Sequence, residues 1–382
     1  MISAWRTPFL VALQVMLLPV CVTHPVGSSS STTGSVVEIS GMHAARACHT
    51  STLLPNGKVL IAGGFAGSGA ESQPYNSAEI YDPGRGRFQT AGSMVIGRSG
   101  HTATLLRNGK VLIVGGWTGR YDVRRTAELY DPASNKFFPT GEMGTERADS
   151  TAAMLADGRV LISGGVDRNM NALSSAELYD PVSGVFLPTG NMHEPHGAAH
   201  TATVLRDGKV LITGGGSGRY PSQTIYRTAE LYDPGTGKFT TTGPMMVARH
   251  KHAAVLLPDN RVLIVGGSDN HDWRGQYSSA ELYDPLTGKF TATADMSTTR
   301  FKLPDAIVLL RGGKVLVAGG GSFAEIYDPA KRIFSRTGGS LGSAHFFASA
   351  TLLPDGQALI TGGYFESAGG LPSAASAWIY KP

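Results

Sequence analysis

Four arginines recur at one position of this 382-residue chain: Arg46, Arg98, Arg147 and Arg249, each three residues ahead of His49, His101, Ser150 or His252. A guanidinium is a planar fork of donors that grips a carboxylate through two hydrogen bonds, so a ring of arginines is chemically an anion or polar-ligand funnel. Lys302 and His345 read as the equivalents of these arginines in two later units, and Gly197 beside His196 in another. Glu79, Glu128, Glu177, Glu230, Glu281 and Glu325 recur with the same period and open a second reading, in which each Arg pairs with a Glu. A residue repeated in nearly every unit serves the unit more often than a ligand. His49, His101, His200 and His252 face the same choice. Imidazoles bind metals, but four of them at equivalent points of separate units stand too far apart to share one ion, so no metal site and no cofactor is expected.

Residues outside the repeat are more informative, because a scaffold does not require them. One variable stretch carries Trp117, Arg120, Tyr121, Asp122, Arg124 and Arg125; a second has Tyr220 and Arg227; a third has Asp272, Trp273 and Arg274. Aromatic and Arg enrichment is typical of recognition surfaces, and sugars stack their C–H faces on such rings. The alternative is that these loops pack on one another. Asp122, Asp272, Glu146 and Glu194 are acid–base candidates, with no diagnostic spacing between any two. The chain has no phosphate-cradling loop, nucleophile elbow or zinc motif.

The elements that must position these residues form a single template, about Arg-x-x-His-T-A-T-L-L-x-x-G-K-V-L-I-x-G-G, a variable stretch, then A-E-L-Y-D-P-x-T-G-K-F. Its paired glycines fall at 63–64, 115–116, 164–165, 214–215, 266–267, 319–320 and 362–363, which gives seven units. Within one unit, residues 101–106 read as a buried strand, 107–109 as a hairpin turn, 110–114 as a second strand, 126–130 as a half-buried third and 136–140 as an outer fourth. Four antiparallel strands make a blade, and blades that cannot bury both faces alone stack into a closed ring. The last unit stops at its third strand, Trp378-Ile379-Tyr380, and the segment 36–42 has the fourth-strand pattern, so the N-terminal strand is expected to complete blade seven. The stretches between second and third strands run 13, 10, 10, 13, 12, 3 and 13 residues, on the face shared with the fourth-to-first loops; the three-residue loop of blade six should leave a notch.

These units resemble kelch repeats, whose marks are the double glycine after the second strand and an aromatic in the third, here Tyr81, Tyr130, Tyr179, Tyr232, Tyr283, Tyr327 and Tyr380. The later Trp of a kelch unit is replaced by Phe88, Phe137, Phe186, Phe239, Phe290 and Phe334, as in many bacterial members. The resemblance implies an all-β, seven-bladed β-propeller, and the blade count also resembles the galactose-oxidase propeller. That enzyme's copper centre takes two tyrosines and two histidines, one tyrosine cross-linked to a cysteine. This chain has no Tyr-His dipeptide, and Cys48 is the one cysteine of its propeller, so the resemblance does not extend to copper chemistry. Cys48 reads as an ordinary small residue at a strand start.

Composition agrees: 50 Gly and 21 Pro with only 16% charged residues favour many short strands over helices. Arg6, the apolar run 9–20 and Cys21 have the layout of a secretory signal peptide, followed by a Ser/Thr/Gly-rich tether. The expected division is a signal peptide over 1–20, a linker over 21–35 and the propeller over 36–382. Cys21 is a lipidation candidate in a lipobox-like tract, so the chain is either a cell-envelope lipoprotein or secreted. A formal net charge of +4 implies no nucleic-acid partner. The expected function is a monomeric, non-catalytic binding module for a protein or glycan outside the cytoplasm. The alternative is a carbohydrate-active enzyme, a sugar epimerase or mutarotase or a divergent oxidase, with its site at the channel mouth.

Overall fold

A computed structural model of the chain describes residues 33–67, 73–119, 122–197, 199–218, 222–368 and 370–382. The signal segment, Cys21 and most of the tether lie outside the described residues, as do Arg120, Tyr121 and Tyr220. No described helix is long and apolar enough to cross a membrane.

Seven four-stranded antiparallel sheets make up the fold. In blade two the strands are Thr102–Leu105, Val111–Val114, Ala127–Asp131 and Lys136–Pro139, within one or two residues of the boundaries expected from the sequence. The second strand of each blade opens on an apolar run, as in Val111-Leu112-Ile113-Val114, and is buried at every position, with Ser163, Thr213 and Thr361 closing it in blades three, four and seven. Such a run suits a strand covered on both faces by neighbouring sheets. Leu60, Ala62 and Ile80 of blade one pack in this way on Val111, Ile113, Tyr130 and Phe137 of blade two.

The paired glycines follow from this stacking. A Cβ on Gly63 would lie 2.4 Å from the Arg98 carbonyl of the next blade, and one on Gly64 2.7 Å from the Ala47 carbonyl, with φ of 64° and 82°. Neither position tolerates a side chain. The repeated Tyr and Phe form a tilted ring pair in six blades, for example Tyr130 and Phe137 with centroids 4.8 Å apart. Each tyrosine hydroxyl in blades three to six meets a threonine of the preceding blade, as Tyr179 meets Thr140 at 2.8 Å. Blade seven differs because its fourth strand, Ser35–Ile39, comes from the other end of the chain and pairs antiparallel with Ala377–Lys381. No Phe is available there, and the Tyr380 hydroxyl donates to the Thr33 carbonyl at 3.0 Å instead.

Candidate functional site

The recurrent arginines lie inside the blades. Arg46, Arg98, Arg147 and Arg249 are at most 1% exposed. Arg98 donates to the carbonyls of Gly115 and Thr126 and to Glu128 at 2.9 Å; Glu128 in turn accepts the backbone N–H of Val95 and Ile96. The other pairs are Arg46–Glu79, Arg147–Glu177 and Arg249–Glu281. Each pair ties the incoming loop to the third strand, and the four guanidinium groups face protein rather than the channel.

The assignment of Lys302 to this position requires correction. Arg300 is the blade-six equivalent, pairing with Glu325 at 3.0 Å. In blade four His196 takes the place and approaches Glu230 at 3.4 Å. Blade seven substitutes His345 against Trp378 with centroids 4.7 Å apart, an aromatic contact in place of an ion pair.

The histidines form a second structural belt. His101 meets the Thr50 hydroxyl at 3.1 Å, His200 meets Thr151 at 3.0 Å, His252 meets Thr213 at 3.0 Å, and His49 meets Thr361 at 2.9 Å, so each ring bridges two blades or two strands of the neighbour. Burial, reinforced by nearby cationic side chains, lowers His49, His101 and His200 to about 3, and pushes His252 well below its ordinary value. All four rings are neutral. Among the described residues, no three His, Cys, Asp or Glu side chains stand together as a metal site.

One residue in each blade, just before the position of the recurrent His, has a left-handed backbone: Cys48, Gly100, Asp149, Ala199, Lys251, Lys302 and Phe347, with φ between 51° and 64°. Five backbone hydrogen bonds link neighbours among them around the axis. Gly100 N–H donates to the Cys48 carbonyl, Asp149 to Gly100, Lys251 to Ala199, Phe347 to Lys302, and Cys48 to Phe347, at 2.6 to 3.3 Å. This collar surrounds the entrance of an axial cavity of about 480 Å³. Its residues differ from blade to blade although their neighbours repeat, a signal present in the sequence at a position the template leaves blank. Cys48 accordingly belongs to the collar rather than to a strand start; burial and the nearby carboxylates of Asp149 and Asp305 push its thiol well above its usual range, so it is protonated.

Loop five reaches over the collar. Its single turn, Asp272–Arg274, places Asp272 2.5 Å from Lys251 Nζ and 3.6 Å from Lys302 Nζ. Burial pushes the Asp272 carboxyl up, but the two ammonium groups outweigh it and hold it below its ordinary value. Lys302 Nζ lies 3.9 Å from the Trp273 ring centroid, 4.6 Å from Phe301 and 5.4 Å from Tyr364, and this apolar box, with Lys251, lowers it to about 8. Trp117 donates from its indole to Asp149 at 2.9 Å. Asp149 and Asp305 line the cavity, Asp149 half-buried and Asp305 exposed to it, and desolvation there raises each to about 6.

The candidates therefore divide. Asp272, Trp273 and, through Asp149, Trp117 converge on the axis. Arg124, Arg227 and Arg274 are exposed, Arg124 in an ion pair with Asp122 at 2.9 Å. Of the acid–base candidates, Glu146 is engaged by Arg168 and Asp272 by two lysines; Asp149 and Asp305, which the sequence reading passed over, are the carboxyls poised to exchange protons near neutrality. The collar does not fit a copper centre, because two of its positions hold lysines, whose charged ammonium groups are not ligands, and its neighbouring imidazoles are held by hydroxyls.

The kelch-motif family model matches residues 46–95, 198–246 and 249–297, which begin at Arg46, in the loop entering blade four, and at Arg249. No curated protein matches the chain in sequence. A solved structure described as a novel fungal alcohol oxidase with catalytic diversity among the AA5 family, in complex with copper, aligns with TM-score 0.68 and 16% identity over 91% of this chain and 76% of that one. At that identity the likeness is one of fold. With seven four-stranded blades, double glycines at each blade contact and the kelch motif matched three times, the chain is a kelch-repeat β-propeller.

Proposed function

We propose that this protein is a non-catalytic binding module acting outside the cytoplasm, and that it recognises a protein or glycan through the face bearing the variable loops. One observation carries this reading. The unrepeated residues Asp272, Trp273 and Lys302 gather with Lys251, which lines the axial cavity, whereas the repeated Arg, His and Glu are engaged inside the blades. A scaffold of equal blades has no need of such a local exception. The exported setting rests on the signal-peptide layout of residues 1–20, with Cys21 as the anchoring alternative. A glycan array and a pull-down against purified envelope proteins test the module. The triple variant Trp117→Ala, Arg124→Ala, Trp273→Ala should lose capture while keeping a cooperative unfolding transition; capture equal to that of the unaltered protein sinks the reading.

A second reading, a sugar epimerase or mutarotase, is favoured by Asp149 and Asp305, each at about 6 within the axial cavity, where a carboxyl can both give and take a proton near neutral pH. It requires anomer interconversion, followed polarimetrically, that is lost in Asp149→Asn. No acceleration by the unaltered protein removes it.

A further inference from the structure

Blade six is the only blade whose second-to-third connection is three residues long, Gly321 to Phe323, against 10 to 13 in the others. The expected notch is present as a groove of about 380 Å³ between loop five and blade seven, within the roughly 300–1,000 Å³ range of ligand pockets. Its shape is fixed from beneath. Buried Arg300 donates to the Gly319 carbonyl at 2.9 Å and the Phe323 carbonyl at 2.7 Å, clamping both ends of the short loop. A Cβ on Gly321 would lie 2.5 Å from Arg300 Nη1, so the floor there is bare backbone.

The walls combine two chemistries. Trp273 and Phe323 supply the accessible aromatic surface, with Lys302 Nζ over one face of Trp273 and Arg336 over one face of Phe323, and Trp273 is held by edge contacts to Phe301 and to buried Phe346 with centroids 4.9 and 4.8 Å apart. Gln276 is oriented by donating to the Trp273 carbonyl at 3.0 Å and accepting from the Thr299 hydroxyl at 3.1 Å. Those bonds leave its amide a second N–H and a second lone pair. Glu366 is exposed at the opposite wall, and no ion pair to it is found among the described residues.

We infer that this groove binds a neutral pyranose ring, the C–H face of the sugar lying against the aromatic wall and its hydroxyls bonded by Gln276 and Glu366. An amide and a carboxylate accept and donate as vicinal hydroxyls require, and an aromatic wall takes the apolar ring face. The unpaired carboxylate disfavours an anionic ligand. A preformed floor also lowers the ordering cost of binding. The inference rests on the binding-module reading and narrows it to one ligand class at one place on the face.

Saturation-transfer NMR and titration calorimetry with the methyl glycosides of glucose, galactose, mannose, xylose and N-acetylglucosamine, and with their short oligomers, test it. At least one should bind. Gln276→Ala and Glu366→Ala should each weaken it roughly tenfold, the size of one lost hydrogen bond to a buried partner. A Gly-Ser-Gly insertion after Gly321 should abolish binding while keeping a cooperative unfolding transition, and Val182→Ala, on the exposed third-to-fourth turn of blade three, should leave it intact. If glycan capture survives all three groove changes but fails in Arg124→Ala, the groove assignment is overturned and the wider reading stands. If no saccharide binds while an envelope protein is captured through this face, the sugar is wrong and the module is right. If neither binds, both fall.

Discussion

Acidification from pH 6.5 to about 4.5 is expected to unfold this propeller, with stability falling by about 4–5 kcal/mol per pH unit. The source is the belt of four buried imidazoles together with His250, a fifth buried ring that lies 3.8 Å from Asp272. His49, His101, His200 and His250 are lowered to about 3 by burial, and His252 is lowered well below its ordinary value of 6.5. A ring with a depressed folded pKa stays neutral in the fold where the unfolded ring takes up a proton. Its contribution is complete above pH 6.5 and is lost as the pH falls towards 3. Asp149 and Asp305 work in the opposite sense, because a folded pKa of about 6 against an ordinary 3.8 lets the fold bind protons first, and acidification between those limits adds stability. Five rings outweigh the two carboxyls, of which Asp305 counts for less because it is exposed and screened by solvent, leaving about three to four protons per molecule at about 1.4 kcal/mol per pH unit each. A total stability in the usual range of about 5–15 kcal/mol is exhausted within a few units. Urea denaturation at closely spaced pH values reads the slope. His101→Gln keeps a partner for the Thr50 hydroxyl and removes one titrating ring, so its slope should be shallower by about 1.4 kcal/mol per pH unit. An unchanged slope would show that the rings are not the source.

Glu128→Ala should destabilise the protein by about 3–5 kcal/mol, the usual cost of leaving one member of a buried ion pair alone. Arg98 is fully buried, and the lost carboxylate also holds the N–H groups of Val95 and Ile96. Blade seven shows that the charge pair is not obligatory: His345 packs on Trp378 at the same two positions. The double variant Arg98→His, Glu128→Trp should therefore cost less than Glu128→Ala alone. Chemical denaturation of the unaltered protein, Arg98→His, Glu128→Trp and their double variant gives the coupling, and a double variant less stable than Glu128→Ala would refute the substitution logic. The same experiment bears on function, since a ligand-binding arginine would lose capture on replacement without a comparable loss of stability.

Much of the fold was legible in the residues. Seven double glycines, seven third-strand tyrosines and an orphan fourth strand at the front of the chain specify blade number and ring closure, because repeat architectures write their long-range contacts as local periodicity. The notch of blade six was legible as well, from loop length alone. The site was legible only in part. Trp273 and Asp272 stood out because no other blade carries them, but the reading placed Arg46, Arg98, Arg147 and Arg249 at the channel mouth, and it aligned Lys302 with them when Arg300 is their equivalent.

By itself, then, the sequence determined the propeller, its blade count, its closure and the uneven wall of loops. Tertiary structure decided between the two readings of the recurrent cations, turning them inward to the co-periodic Glu, and it alone showed that Cys48, Asp149, Lys251 and Lys302 meet around one axis. The reason is geometric. Periodicity says which residues are equivalent, while the direction each one faces depends on a left-handed turn at a single position per blade, and bringing residues from 48 to 347 onto one collar depends on the ring having closed.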